Sequence, residues 1–153
     1  MNLMPSQASS FAPSAQAPGF VWPIRVYWED TDGGGIVYYA NYLKFLERAR
    51  TEWLRGCGWA QSQLAAESGV TFTVVHVDVD YVRPARLDDQ LLITCQAQRD
   101  GGATLKFIQS VHRDSLDSPP LANARVRIAC VDAKSLRPRR LPKQLAATLG
   151  SVE

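Results

Sequence analysis

Residues 27–54 read YWEDTDGGGIVYYANYLKFLERARTEWL, and the fold turns on how they are understood. Three acids (Glu29, Asp30, Asp32) fall within four positions, Gly33, Gly34 and Gly35 follow, and a helical pattern begins. From about Val37 to Arg55, the residues Val37, Ala40, Asn41, Phe45, Ala49 and Trp53 recur at helical spacing. Tyr38, Tyr42, Leu46 and Leu54 widen that apolar face, and Lys44, Glu47, Arg48, Glu52 and Arg55 fill the other. Gly56 and Gly58 supply the stop. An apolar face this broad suits a helix covered by a sheet.

The flanking sequence supplies that sheet. Trp22, Ile24, Val26 and Trp28 alternate with Arg25 and Tyr27 in the period-2 pattern of a strand, and Pro23 near its start suits an edge. After the long helix, WAQSQLAAES (59–68) reads as a shorter one ending at Gly69. Four strands follow. Residues 72–82 set Val75, Val77, Val79 and Tyr81 on one face and His76, Asp78 and Asp80 on the other. Leu91, Ile93, Cys95 and Ala97 make the next strand. Leu105, Phe107 and Val111 follow the Asp100-Gly101 hairpin signal. Ala122, Ala124, Val126, Ile128 and Cys130 complete a meander-like series, and RPRRLPKQLAATL (137–149) reads as a basic turn with a short helix. The expected class is α+β, an antiparallel sheet with one covered face.

Composition narrows the function. With 153 residues, 46% apolar and 21% charged, the chain is expected to fold as one domain over 20–149, behind a disordered leader (1–19) and before a short tail (150–153). The leader has neither a basic nor an apolar region of a secretory signal, so a cytoplasmic location is expected. No apolar run approaches the length of a transmembrane helix. The net charge of +2 is too small to argue for nucleic acid, but residues 121–153 carry +5 against −3 elsewhere. Cys57, Cys95 and Cys130 contain no CxxC pair, which argues against a disulfide framework and a structural zinc site.

The acid–glycine stretch admits several chemistries. The first turn of a helix offers unpartnered N–H groups and a partial positive charge. Glycines beside it allow close approach of another molecule, and a carboxylate upstream can then share a site with free donors. Acyl transfer needs that arrangement: the N–H groups polarise a carbonyl while the carboxylate attacks it or activates water. A structural cap is the competing reading, although a cap needs at most one glycine. A calcium loop fails, since from Asp30 the twelfth position is Asn41 rather than an acid, and a P-loop fails for want of Lys-Ser/Thr. His76, Asp78 and His112 match the crude pattern of a two-His, one-carboxylate iron site. The first two lie on the outer face, so solvation is the better account and no metal is expected. There is no GxSxG elbow and no Ser or Cys nucleophile in a triad pattern.

The stretch RVYWEDTDGGGIVYYANYLKFLERARTEWLR (25–55) resembles the signature of hotdog-fold acyl-CoA thioesterases. It is similar to the 4-hydroxybenzoyl-CoA thioesterase type, and nearest the Tol–Pal-associated branch. VDYVRPARLDDQL and VDAKSLRPRRLPKQL resemble later blocks of that branch, and the likeness runs from about Phe20 to Leu149. The resemblance implies a five-stranded antiparallel sheet wrapped around a long central helix. It implies hydrolysis of acyl-CoA to free acid and CoA, with coenzyme A as part of the substrate and no separate cofactor. Homo-oligomers are implied, a dimer of dimers, with active sites at the dimer interface, and an acyl carrier protein is a further partner. Asp32 matches the catalytic acid, and Asp30 is read as a cap or support. Backbone N–H groups from Gly35 to Tyr39 match the carbonyl-polarising positions, with Tyr39 foremost, then Tyr38 and Gly35. The branch usually has His where this chain has Tyr39. Arg137, Arg139, Arg140 and Lys143 are expected to receive CoA phosphates, with Arg83 and Arg86 competing. A non-hydrolytic acyl-CoA or acyl-carrier binding module on the same fold is the alternative.

Overall fold

The computed structural model describes residues 20–149; the expected leader and tail lie outside the described residues. Five strands, β1 (Phe20–Arg25), β2 (Val70–Tyr81), β3 (Gln90–Arg99), β4 (Thr104–Arg113) and β5 (Ala122–Asp132), form one antiparallel sheet. Three α-helices, α1 (Asn41–Gly56), α2 (Gln61–Ser68) and α3 (Lys143–Thr148), accompany it. The α+β class is as expected. The strand order is β1-β3-β4-β5-β2, so the expected simple series is corrected: β3, β4 and β5 form a meander, but β2 crosses over to pair with β5. β1 lies at the opposite edge, where Pro23 costs no ladder bond to a further strand.

The core lies between α1 and one sheet face. Tyr42, Phe45, Leu46, Ala49, Trp53 and Leu54 are the buried positions of α1. They meet Leu91, Ile93, Cys95, Leu105, Phe107, Val111, Val126 and Cys130 from the middle strands. Trp53 and Phe107 pack edge to face at 5.4 Å. Each fully buried side chain of this size contributes about 1.5–3 kcal/mol.

Three local expectations are corrected. The helix begins at Asn41 rather than Val37, because the preceding amides are used elsewhere. Val37 N–H donates to Ala85 O (2.8 Å) and Tyr38 N–H to Asp30 O (3.0 Å). The first strand stops at Arg25, and Trp28 belongs to a 3₁₀ turn, Trp28–Asp30, with its side chain exposed. In β2 the alternation is broken by a bulge between Val74 and His76. Phe72 and Val74 pair with inward Cys130 and Ile128, then Val77, Val79 and Tyr81 pair with Val126, Ala124 and Ala122. Val75 is therefore the extra residue and does not continue the Val77 face.

Candidate active site

The segment from Tyr27 to Tyr39 folds back on itself before α1 starts. Thr31 and Val37 form an antiparallel bridge, and Asp32 N–H donates to Ile36 O at 2.9 Å. Gly35 N–H returns to Asp32 O at 3.2 Å, closing a tight loop over the three glycines. Gly35 has φ +78°, a conformation that favours glycine. Ile36 then bridges Arg86, and Leu87 N–H donates to Gly35 O (3.3 Å), so the VRPAR segment lies across the loop.

The two aspartates have separate environments. Asp30 is buried; its Oδ2 accepts Tyr27 N–H at 2.8 Å, completing a reciprocal cap on the 3₁₀ turn. Its carbonyl accepts both Tyr38 N–H and the Asn41 side-chain amide (2.9 Å), which ties the loop to the first residue of α1. Asp32 is exposed, and the bond given to its carboxylate is Gly34 N–H to Oδ1, 2.8 Å. One carboxylate holds the loop together and the other faces solvent.

Donors differ in the same way. Gly35 and Tyr38 N–H groups are engaged within the loop, as above. Among the described residues, no acceptor is recorded for Tyr39 N–H, which stands just before the helix. The Tyr39 carbonyl is held by the Tyr81 hydroxyl at 3.0 Å, and the two rings meet edge to face at 6.1 Å. Tyr42 extends this aromatic group, 5.2 Å from Tyr81, and its hydroxyl accepts Ala85 N–H at 2.9 Å. Burial raises the pKa of the Tyr42 and Tyr81 phenols, so both remain protonated at neutral pH. Ile36, Val37, Tyr39, Tyr42, Tyr81, Val82, Arg83 and Pro84 line an open cleft of about 240 Å³.

Tyr81 was not singled out as a site residue from the sequence. Its face was legible, since alternation sets it with Val77 and Val79; its contact with the Tyr39 carbonyl comes from a segment 42 residues away and leaves no mark in the sequence. The remaining aromatics divide as packing demands: Trp53 is in the core, Trp59 rests against it half-buried, and Tyr38 is exposed.

The basic groups separate into two sets. Arg83 lines the cleft, and Arg86 bridges the residue after the glycines. Arg139, Arg140 and Lys143 instead line a second cleft of about 350 Å³ with Trp59, Ser68 and Val70. Arg137 belongs to the same turn and is exposed. That cleft adjoins the first residue of β2, whereas Tyr81 is the last. Twelve residues of strand span about 36 Å. Within one chain, the two sets are far apart.

The His76–Asp78–His112 pattern does not come together. His76 and Asp78 are on β2 and His112 on β4, with β5 between them. Asp78 pairs with Arg125, and the His112 ring nitrogens bond Ser110 Oγ and Ser118 O, both at 2.8 Å. Among the described residues, no group of His, Cys, Asp and Glu has a metal-holding arrangement.

A helix laid on an antiparallel 1-3-4-5-2 sheet, with an acid–glycine loop at the helix entrance, places the chain among hotdog-type α+β proteins. The sequence profile of the Thioesterase-like superfamily matches residues 26–149, and the chain belongs to that family. It is 43% identical over 129 residues to an acyl-CoA thioesterase, YbgC, of Haemophilus influenzae, covering 84% of this chain and 93% of the relative. An acyl-CoA thioester hydrolase, YbgC, of Escherichia coli is 45% identical over 128 residues, with the same coverage. The crystal structure of a probable thioesterase from Bartonella henselae superposes with a TM-score of 0.74 at 37% identity, covering 81% of this chain and 99% of that one.

Proposed function

We infer that this protein hydrolyses acyl-CoA thioesters to a free acid and coenzyme A. Family membership and the relatives' activities support the reaction class. The observation that carries the site assignment is the contrast between the buried, bonded Asp30 carboxylate and the exposed Asp32 carboxylate on the same loop.

Asp32 is the proposed catalytic carboxylate. As a general base it removes a proton from water, and the resulting hydroxide adds to the thioester carbonyl carbon. The oxyanion accepts the Tyr39 N–H, the one amide of the three expected positions not already engaged in the loop. Collapse breaks the C–S bond, and the proton leaves with the CoA thiolate. As a nucleophile, the same oxygen forms an acyl anhydride that water then opens. Hydrolysis in ¹⁸O-labelled water at a single turnover separates the two, because only the anhydride route puts label into Asp32. Arg83 and Arg86 stand beside this site and suit CoA phosphates.

Two copies are proposed to pair through β2. This strand is an edge of the sheet, twelve residues long, with Val74, Val75, Val77 and Tyr81 exposed along it and Val82 exposed just beyond it. An uncovered apolar edge of this length is an association surface. A dimer of such dimers and an acyl carrier protein as acyl donor remain expectations from the resemblance. Among the described residues, no helix is long and apolar enough to cross a membrane. The free thiols Cys57, Cys95 and Cys130 suit a reducing compartment, and we place the protein in the cytoplasm.

The test is Asp32→Asn, which preserves shape and removes the base or nucleophile. Across short, long and aromatic acyl-CoA substrates, the variant should lose at least about 10³ in kcat while retaining its fold. Turnover at the native rate would rule out the carboxylate. Saturable acyl-CoA binding by the native chain without release of thiol would favour the non-hydrolytic binding module.

A further inference from the structure

Two consecutive peptide groups stand at the entrance to α1, and each is held by its carbonyl. The Tyr38 carbonyl accepts Asn41 N–H at 2.8 Å, which fixes the peptide that carries the Tyr39 N–H. The Tyr39 carbonyl is fixed differently. Its bond within the helix entrance, from Tyr42 N–H, is long at 3.4 Å, whereas the Tyr81 hydroxyl donates to it at 3.0 Å from another strand. A trans peptide is planar and sets its C=O and N–H on opposite sides, so the group that Tyr81 holds is the one that carries the Ala40 N–H. Ala40 already has helical geometry, φ −70° and ψ −21°, and its N–H leaves the first turn beside that of Tyr39. Among the described residues, no acceptor is recorded for either N–H.

The phenol is itself restrained. Val82 and Arg83 N–H groups both donate to Leu121 O, at 2.8 and 3.0 Å, and lock the chain where β2 ends. The Tyr81 ring meets Tyr42 at 5.2 Å and Tyr39 at 6.1 Å, both edge to face. Tyr42 is buried and tied to Ala85 N–H at 2.9 Å, so it is a firm support. A donor on a carbonyl oxygen also draws electron density toward it and makes the N–H of the same peptide a stronger donor.

We propose that Tyr81 is a positioning residue for thioester hydrolysis: its hydroxyl holds and polarises the Tyr39–Ala40 peptide, so that the Ala40 N–H joins the Tyr39 N–H in receiving the oxyanion. The inference rests on the acyl-CoA reading above and adds a second donor to it. As the nucleophile adds to the carbonyl carbon, the displaced electron pair moves onto the thioester oxygen, and both amides meet it. In this role the hydroxyl touches neither the substrate carbonyl nor the nucleophile. It acts through one peptide.

Tyr81→Phe keeps the ring that lines the cleft and removes only the hydroxyl. With acyl-CoA as substrate, kcat should fall about tenfold while KM changes by less than about threefold. The loss is smaller than the roughly 10²–10³ that follows removal of an oxyanion donor, since the amide remains but is neither aimed nor polarised. The second readout, which a packing defect alone would not move, is the infrared carbonyl stretch of bound acyl-CoA labelled with ¹³C at the thioester carbon. It is recorded on Asp32→Asn, to prevent turnover, and on Asp32→Asn combined with Tyr81→Phe. The single variant should shift the band to lower wavenumber than in free acyl-CoA, and the double variant should lose part of that shift.

A kcat within about twofold of native, a loss carried by KM alone, or an identical band in the two chains would overturn the proposal. No shift in the single variant would count against carbonyl binding at the helix entrance, and so against the reading on which the proposal rests. Turnover by Asp32→Asn at the native rate would count against the carboxylate, and the kcat comparison between native protein and Tyr81→Phe would still decide the role of the hydroxyl.

Discussion

The Asp30 and Asp32 carboxylates stand two residues apart on one loop, the first buried and accepting Tyr27 N–H at 2.8 Å, the second exposed. This contrast makes opposite demands of the two side chains. Asp30→Ala should lower stability by about 1–2 kcal/mol, because it removes a cap and leaves the Tyr27 N–H without its acceptor. Asp32→Asn should leave unfolding almost unchanged while hydrolysis collapses. Thermal unfolding and acyl-CoA turnover, measured on both variants, give the comparison. Reversal of the two phenotypes would mean that the roles are exchanged.

Gly35 and Gly33 provide a second contrast. Only Gly35 of the three glycines has a positive φ, at +78°, and a Cβ added at Gly33 meets nothing within 4 Å. Gly35→Ala should cost about 1–2 kcal/mol and disturb the Ile36–Arg86 bridge that follows it. Gly33→Ala should be close to neutral for stability. Chemical denaturation of the two variants checks this, and any catalytic loss in Gly33→Ala would point to crowding of the incoming thioester.

The β2 edge can be blunted with one charge. Val77 pairs with inward Val126, which puts it on the helix side of the sheet, yet it is 38% exposed. Val77→Lys should shift the protein from dimer to monomer in sedimentation velocity while leaving its circular dichroism native. A variant that remained dimeric at micromolar concentration would place the interface elsewhere.

Buried thiols set an alkaline limit. Burial raises the pKa of Cys57 and Cys130 to about 11, and raises that of Cys95 further. An unfolded chain releases these protons near pH 9 and the folded chain holds them. Stability should therefore be unaffected below pH 8 and decline from about pH 9 through pH 11. Urea midpoints recorded across that range test the sign, and a Cys57→Ser, Cys130→Ala chain should show a shallower decline.

The sequence carried most of the architecture because its signals were local. Helical spacing located the body of α1, the Asp100-Gly101 turn located the β3–β4 hairpin, and Cys95 and Cys130 are buried as their strand positions implied. Asp30 could be separated from Asp32 only through the family likeness, since both precede the glycines. What was not legible depended on contacts between distant segments. Val37 and Tyr38 satisfy a helical pattern, but Ala85 and Asp30 take their N–H groups and delay the helix. The placement of β2 beside β5 leaves no mark in its own residues. Nor could the distance between the two basic sets be foreseen, because it follows from the crossover.

The bulge at Val75 has an effect on curvature. A strand with an extra residue bends and twists more strongly than a regular one. Here the bend precedes His76–Tyr81, the half of β2 that ends with a hydroxyl on the Tyr39 carbonyl. A chain lacking Val75 would keep every remaining residue on its present face, because Val74 and Val77 already match inward partners on β5. It would nevertheless have a straighter strand and a differently aimed Tyr81. The hold on the Tyr39 carbonyl is thus set in part by one surplus residue halfway along another strand, in a place where a sequence comparison would show only a harmless gap.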